Sequence, residues 1–147
     1  MSEVLIRAMT KEDYEEVFAM WQITSKRALS NADRKEEIER YLDRNKGLSQ
    51  VAMIDGKIVG TVLAGHDGRR GYIHHMAVLP EHRRKHIAKT LATTAIEKLA
   101  KEGIVKTHIF TYCDNLAGQS FWSSLGFTRR NDIYDYSYEV PTERSEP

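Results

Sequence analysis

The sequence predicts a mixed α/β (α+β) fold, in which a twisted sheet of six to seven strands carries helices on both faces. Three observations predict it. Apolar runs of strand length alternate with longer segments whose apolar residues recur at helical spacing. The dipeptide Asp55-Gly56 separates two such runs, which is typical of a β-hairpin. A full helix separates two later runs, which favours parallel strands joined by a right-handed crossover.

The elements are predicted in the order β-α-α-β-β-β-α-β-α-β-β, and the first strand is Val4-Leu5-Ile6. Thr10, with Asp13 three residues later, forms a capping-box pattern that begins the first helix. The buried face of that helix is predicted from five apolar residues at helical spacing: Tyr14, Val17, Phe18, Trp21 and Ala28. A second, highly charged helix opens at Asn31 or Ala32 and ends at Asn45-Lys46-Gly47.

Strands dominate the middle of the chain. The strands Leu48–Ile54 and Lys57–Gly65 flank the hairpin, and the turn His66–Gly71 leads to the strand Tyr72–Leu79. A helix is then predicted from about Arg83 to Glu102, where Gly103 stops it.

The last third of the chain is predicted to add one strand, a short helix and a hairpin. Ile104–Cys113 is the strand, Asp114-Asn115 caps the helix, and Phe127 begins a final hairpin through Tyr138. A length of 147 residues suits one domain, which we place at residues 1–140, with residues 141–147 as a flexible polar tail.

Composition excludes several classes of function. The net charge of +1 gives no global field that favours nucleic acid, and no apolar run reaches the length of a membrane span. Cys113 is the single cysteine, which excludes an intrachain disulfide and a cysteine-based metal cluster. The sequence therefore predicts a soluble, cytoplasmic protein without a metal, a nucleic-acid partner or a membrane partner.

A basic turn, which we call the phosphate turn, follows the strand that ends near Pro80. It comprises six residues at the start of a helix: Arg83, Arg84, Lys85, His86, Ile87 and Ala88. The first backbone N–H groups of a helix lack partners and lie at the positive end of its dipole. Such a turn suits a diphosphate, and its cationic side chains add charges that pair with phosphate.

Together with the element order, these motifs resemble the GNAT superfamily of acyl-CoA-dependent N-acetyltransferases, over essentially Val4 to Val140. The phosphate turn is similar to the family pattern Gln/Arg-x-x-Gly-x-Gly/Ala, and the preceding strand ends in the family's apolar-Ala-Val as Met76-Ala77-Val78. Asn115 followed by Phe121-Trp122-Ser123-Ser124-Leu125-Gly126-Phe127 is like the family's Asn…Leu-Tyr-x-x-Leu-Gly-Phe. The hairpin Gly65–Gly71 (Gly-x-Asp-Gly-x-Arg-Gly) looks closest to the small single-domain bacterial members.

The resemblance implies that acetyl-CoA is a co-substrate and that its acetyl group passes directly to an amine. The pantetheine arm would pair with the backbone of Met76 and Val78, with Ala77 between them, and the N–H of Val78 or a neighbour would polarise the thioester carbonyl. The diphosphate would rest on the N–H groups of Arg84 through Ala88. Asn115 would cap the short helix and bond CoA or its water.

Several positions depart from the family pattern. His86 replaces a glycine, but with the ordinary φ expected of a residue entering a helix it can still present its N–H. Trp122 replaces the tyrosine that protonates the CoA thiolate in the family, and an indole cannot take over that role. Trp122 is therefore expected only to form a wall of the pantetheine channel, and Tyr112 is a distant candidate for the acid. The predicted strands Tyr72–Leu79 and Ile104–Cys113, which the resemblance implies separate to form the cofactor cleft, contain no carboxylate. Phe110 stands where protein N-terminal acetyltransferases have glutamate. The candidate bases are therefore His74, where arylalkylamine acetyltransferases carry histidine, and His75; on a strand the two point to opposite faces.

The acceptor is left open by the sequence. A small amine or amino-acid derivative is favoured slightly over a protein N-terminus or lysine, in a pocket expected between the loop Ser25–Asn31 and Arg129–Asp132. A non-catalytic acyl-CoA-binding regulatory module is the rival reading. Tyr134, Tyr136 and Tyr138 alternate on the last predicted strand, and such a stripe is typical of packing or of a homodimer edge.

Overall fold

Five strands lie side by side in chain order in the computed structural model, which describes residues 3–141. They are β1 (Leu5–Ala8), β2 (Gln50–Ile54), β3 (Lys57–His66), β4 (Gly71–Val78) and β5 (Thr107–Ile109). The first four strands are antiparallel neighbours, and β5 is parallel to β4. The predicted crossover between parallel strands is therefore confirmed.

Four helices accompany the sheet: α1 (Tyr14–Thr24), α2 (Lys35–Arg44), α3 (Ile87–Lys101) and α4 (Leu116–Ser124). The predicted capping box is confirmed, since the Thr10 N–H donates to the Asp13 carboxylate at 2.8 Å, although a 3-10 turn separates it from α1. In the part of the chain that the structure describes, no helix has the length and apolar character needed to cross a membrane.

Adjacent residues of β3 show that helices cover both faces of the sheet, as predicted. The hydroxyl of Thr61 contacts the indole of Trp21 on α1, whereas Gly60 lies against Leu91 and Ile87 of α3. Neighbouring strand residues point to opposite faces. The core therefore forms two layers, with α1 and α3 on opposite faces of the sheet.

Two glycines of the Gly65–Gly71 motif allow close approach of neighbouring elements. A Cβ on Gly65 would lie 2.6 Å from the Tyr41 hydroxyl of α2, and a Cβ on Gly71 would lie 2.7 Å from the Thr107 hydroxyl of β5. Neither distance is possible for a real side chain. The motif thus brings α2 onto β3 and β5 onto β4.

The predicted strand Ile104–Cys113 is wrong in extent, because only Thr107–Ile109 pairs with β4. The predicted hairpin from Phe127 through Tyr138 is also wrong. Within the described residues 128–141 no backbone hydrogen bond reaches another element, and a three-residue β5 offers little edge for a further strand. The sheet therefore has five strands instead of six to seven.

Other boundaries differ by a few residues. The β2 strand begins at Gln50, because residues 45–49 turn out of α2, and α2 itself begins at Lys35 after a 3-10 turn, Asn31–Asp33. The third helix begins at Ile87 instead of about Arg83, since the preceding turn contains left-handed residues. The predicted tail from residue 142 to 147 lies outside the described residues.

Candidate active site

A β-bulge in β4 shapes the centre of the candidate site. Leu63 pairs with His74 and Thr61 pairs with Ala77, so His75 and Met76 together oppose one residue of β3. His75 adopts the left-handed φ of 47°. Bulges of this kind re-aim side chains next to active sites. As a result His74 and His75 line the same cavity, and the expectation that they point to opposite faces is wrong.

Beyond the bulge, β4 and β5 separate. Only Gly71 to Ile73 pairs with β5, and the edge of β4 from His74 to Val78 is unpaired on that side among the described residues. The predicted pantetheine-binding residues Met76, Ala77 and Val78 lie on this stretch. An unpaired edge can accept an extended ligand as an additional strand.

The phosphate turn presents free donors at the start of α3. Among the described residues, no backbone N–H group from residue 84 to residue 88 donates a hydrogen bond. Arg84 and His86 both have left-handed φ values, 65° and 61°. Left-handed residues in a turn direct successive N–H groups toward one point, which makes a concave anion site. The turn therefore fits a diphosphate.

Three side chains of the turn have separate positions. Arg83 donates from Nε to the Val78 carbonyl at 3.0 Å, which fastens the turn to the end of β4. Arg84 is exposed, and Nζ of Lys85 lies 3.4 Å from Nδ1 of His82. The expectation of an ordinary φ at His86 is wrong, because this residue takes the conformation that the family's glycine would take.

Substitutions of His86 therefore test whether the backbone of the phosphate turn is strained. We expect His86→Gly to be more stable than His86→Ala by about 1 kcal/mol, because only glycine accepts a left-handed φ without a steric cost. Urea unfolding of both variants measures the difference. A more stable alanine variant would contradict the left-handed conformation.

A cavity of about 940 Å³ opens on the α1 and α2 side of the bulge. One wall comes from the loop before α2 and from α2 itself, and includes Ser30, Asp33 and Tyr41. The opposite wall is formed by the chain from Ile109 to Tyr112, where it leaves the sheet. Arg129–Asp132 does not line the cavity, and its side chains bond one another, Arg129 to Asn131 and Arg130 to Asp132, so the expectation of an opposite wall there is wrong.

His74 lies inside this cavity, beside the ring of Tyr41 at 6.3 Å between centroids. Burial lowers the pKa of His74, the neighbouring His75 lowers it further, and Asp33 opposes both effects. A lowered pKa keeps the imidazole neutral at neutral pH, with a lone pair free to accept a proton. Sequence reasoning thus named three titratable groups that line the cavity, His74, His75 and Tyr112.

Asp33 is a side chain that sequence reasoning missed, because it lies at the start of the highly charged second helix, among many other charged residues. It is buried, at 5% exposure, and one carboxylate oxygen lies 2.8 Å from Nε2 of His75. Ser30 and Asp33 form a second capping box around the turn before α2. The spacing Ser30-x-x-Asp33, which is typical of a capping box, is the sequence signal from which the position of Asp33 could have been predicted.

Tyr112 lies at the rim of the cavity and is 43% exposed. Its hydroxyl donates to the Arg27 carbonyl at 3.3 Å, while the Arg27 guanidinium lies 3.7 Å over its ring and pairs with Asp114 at 3.0 Å. Tyr112 thus links the loop after α1 to the chain after β5. The phenol is not free in this arrangement, and its predicted role as an acid stays a prediction.

Two residues predicted to contact the cofactor lie at α4: Asn115, its exposed N-cap, and Trp122, which is buried within it. The Asn115 side chain accepts from the Gly118 N–H at 2.9 Å, so its capping role is confirmed. Trp122 is 7% exposed and makes edge contacts with Phe121 and Phe127. Contact of either residue with CoA stays a prediction.

Comparison with known proteins agrees with this geometry. The model of the Acetyltransferase (GNAT) family matches residues 7–127. The chain is 30% identical over 128 residues to acetyltransferase SG1711 of Sodalis glossinidius (strain morsitans), a match that covers 87% of this chain and 89% of that protein.

Two solved structures are similar in fold. PaiA N-acetyltransferase from Thermoplasma acidophilum, in complex with coenzyme A, has a TM-score of 0.76 at 21% identity, over 89% of this chain and 93% of that one. Aminoglycoside N-acetyltransferase AAC(6')-Iy, in complex with CoA, has a TM-score of 0.76 at 20% identity, over 95% and 97% of the two chains.

Proposed function

This chain belongs to the GNAT acetyltransferase family, and on that premise we propose that it transfers an acetyl group from acetyl-CoA directly to a primary amine. One observation carries the proposal. The turn of free N–H donors at residues 84–88 lies at the end of the unpaired edge of β4, and the cavity opens beyond the bulge of the same strand. A diphosphate, an extended arm and an amine can therefore be held along one strand.

The residues present suit acetyl-CoA, which supplies the acetyl group as an activated thioester. The N–H groups from Arg84 to Ala88 would hold the diphosphate, and Arg84 and Lys85 would add positive charge. The unpaired edge from Met76 to Val78 would hold the pantetheine arm. A backbone N–H at the end of β4 would polarise the acetyl carbonyl, and Asn115 and Trp122 would flank the thiol end.

The acceptor amine would enter the cavity between the loop before α2 and residues 109–112. Its floor is apolar, from Leu63, Ile73 and Ile109, and histidines stand at the bulge. An amine is protonated at neutral pH and must lose a proton before it can act as a nucleophile. His74 and His75 both line the cavity and are the candidate proton acceptors.

A small amine or amino-acid derivative is the proposed acceptor class. A volume of about 940 Å³ suits a ligand of small-molecule size. Phe110 stands at the cavity in place of the glutamate of protein N-terminal acetyltransferases. Aminoglycosides belong in the test set as well, because a similar structure is an aminoglycoside N-acetyltransferase.

Binding and turnover test the proposal separately. We expect saturable micromolar binding of acetyl-CoA by calorimetry, and release of CoA thiol when small amines, amino-acid amides or aminoglycosides are added. Dephospho-CoA and amine-free mixtures are the controls. Saturable binding without turnover on any amine would instead favour a non-catalytic acyl-CoA-binding module, and absence of binding would refute both functions.

A further inference from the structure

The imidazole of His75 is held on two sides. It stacks on the indole of Trp21, with 4.3 Å between ring centroids and 27° between planes, and its Nε2 lies 2.8 Å from Oδ1 of Asp33. An ionised carboxylate only accepts hydrogen bonds, so Nε2 carries the hydrogen. Nδ1 has no hydrogen-bond partner among the described residues. The neutral ring therefore keeps its lone pair on Nδ1.

Asp33 is fixed independently of His75. Its Oδ2 accepts from the Ser30 N–H at 3.0 Å, and its backbone carbonyl accepts from the Tyr14 hydroxyl at 2.6 Å. The side chains of Asp33 and His75 are only 7% and 9% exposed. The carboxylate thus has one position available, and that position sets the orientation of the ring.

The backbone of His75 is fixed as well. The Thr61 hydroxyl donates to the His75 carbonyl at 3.0 Å and accepts from the Trp21 indole at 2.9 Å. A non-glycine residue with a φ of 47° is strained, and such strain persists where the surroundings hold it in place. Backbone, ring face and Nε2 are all held, and Nδ1 is the remaining free atom of a group that lines the cavity.

We propose that His75, oriented by Asp33, is the group that accepts the proton of the acceptor amine. In this step one N–H bond of the ammonium breaks and a hydrogen forms a bond to Nδ1. The freed lone pair forms the N–C bond while the C–S bond of the thioester breaks. A second proton leaves the nitrogen and ends on the CoA sulfur. His75 is the catalytic residue and Asp33 is a positioning residue, and both roles rest on the proposed function.

The adjacent His74 lacks this arrangement. No hydrogen bond orients either of its ring nitrogens among the described residues, and its ring meets only the edge of Tyr41. A carboxylate that holds the distal nitrogen fixes the tautomer and stabilises the imidazolium that forms. This device is present at His75 and absent at His74.

The other titratable groups that line the cavity with His75 enter any pH profile. They are His74, Asp33, Tyr112 and, on α2, Glu37, Arg40, Tyr41 and Arg44, with the Tyr14 hydroxyl bonded to the Asp33 carbonyl. The ring stacks on Trp21 of α1, and Thr61 of β3 bonds the His75 backbone carbonyl; neither side chain titrates. Because the Asp33 charge opposes the lowering of the His74 pKa by burial, a shifted acidic limb would not separate the two histidines, and the variants are compared by kcat and KM.

Three variants test the pair. His75→Gln keeps an N–H donor for Asp33 but has no basic nitrogen, and we expect kcat to fall by about 100-fold or more. Asp33→Asn should lower kcat by about tenfold while the KM for the amine stays within about twofold. His108→Gln, on β5 and outside the cavity lining, is the matched control and should stay within about fivefold of the wild type. The Kd for acetyl-CoA reports folding and should be unchanged in all three.

The ¹⁵N spectrum of the histidine rings in the wild-type protein gives a second measurement. It needs no variant, so misfolding of a variant cannot affect the result. We expect the hydrogen on Nε2 of His75. If the wild-type protein is active, full activity of His75→Gln, or a hydrogen on Nδ1 of neutral His75, would overturn the role of His75 as the proton acceptor. The acetyltransferase function would still stand. A wild-type protein that acetylates no amine would overturn the proposed function and this role with it.

Discussion

Arg84→Glu is expected to weaken acetyl-CoA binding by about 100-fold, or about 2.8 kcal/mol. Arg84 is exposed in the phosphate turn, and no carboxylate pairs with it among the described residues. A charge-assisted hydrogen bond to phosphate contributes about 1.5 to 3 kcal/mol, and a glutamate at the same place adds repulsion. Calorimetric titration with acetyl-CoA measures the loss.

The matched control is Arg69→Glu, which makes the same charge change in the turn before β4, at the opposite end of that strand from the phosphate turn. We expect its Kd to stay within about twofold, because an exposed charge farther away than the Debye length of about 8 Å is screened. Both variants should unfold within about 0.5 kcal/mol of the wild type. Equal weakening by the two variants would mean that net charge, and not the phosphate turn, governs affinity.

Local signals in the sequence were sufficient to predict those features of the fold that depend on residues close together in the chain. Asp55 and Gly56 have φ values of 51° and 76°, as a tight two-residue hairpin requires. The capping box at Thr10 and the crossover before β5 are local in the same sense. The free N–H groups at the start of α3 were likewise predictable, because the start of a helix leaves such donors without partners whatever lies around it.

The bulge at His75 could not be predicted, since no glycine or proline marks it and the run Tyr72–Leu79 has no alternating pattern whose interruption would reveal it. Its conformation depends on Thr61 and Trp21, which lie 14 and 54 positions before it in the chain and 40 positions apart. The error at Tyr134, Tyr136 and Tyr138 has a related cause. Alternation predicts a strand, but a strand needs an edge to pair with, and these tyrosines are 87–90% exposed.

Thr61→Val is expected to destabilise the protein by about 2 to 4 kcal/mol, although the two side chains have nearly the same shape. Thr61 is fully buried, and its hydroxyl satisfies the Trp21 N–H and the His75 carbonyl at once. Each buried polar group that loses its only partner costs about 1 to 3 kcal/mol. Urea unfolding measures the change in the free energy of unfolding.

Thr93→Val is the matched control, because Thr93 bonds only the carbonyls of its own exposed helix face, and we expect a change within about 0.5 kcal/mol. In a Trp21→Phe background, which already lacks the indole donor, Thr61→Val should cost less than in the wild type. The difference is the coupling between the two groups. Additive costs would show that Thr61 does not connect α1 to the bulge. Coupling together with a fall in kcat would show that the packing of the core sets the orientation of the imidazole at the site.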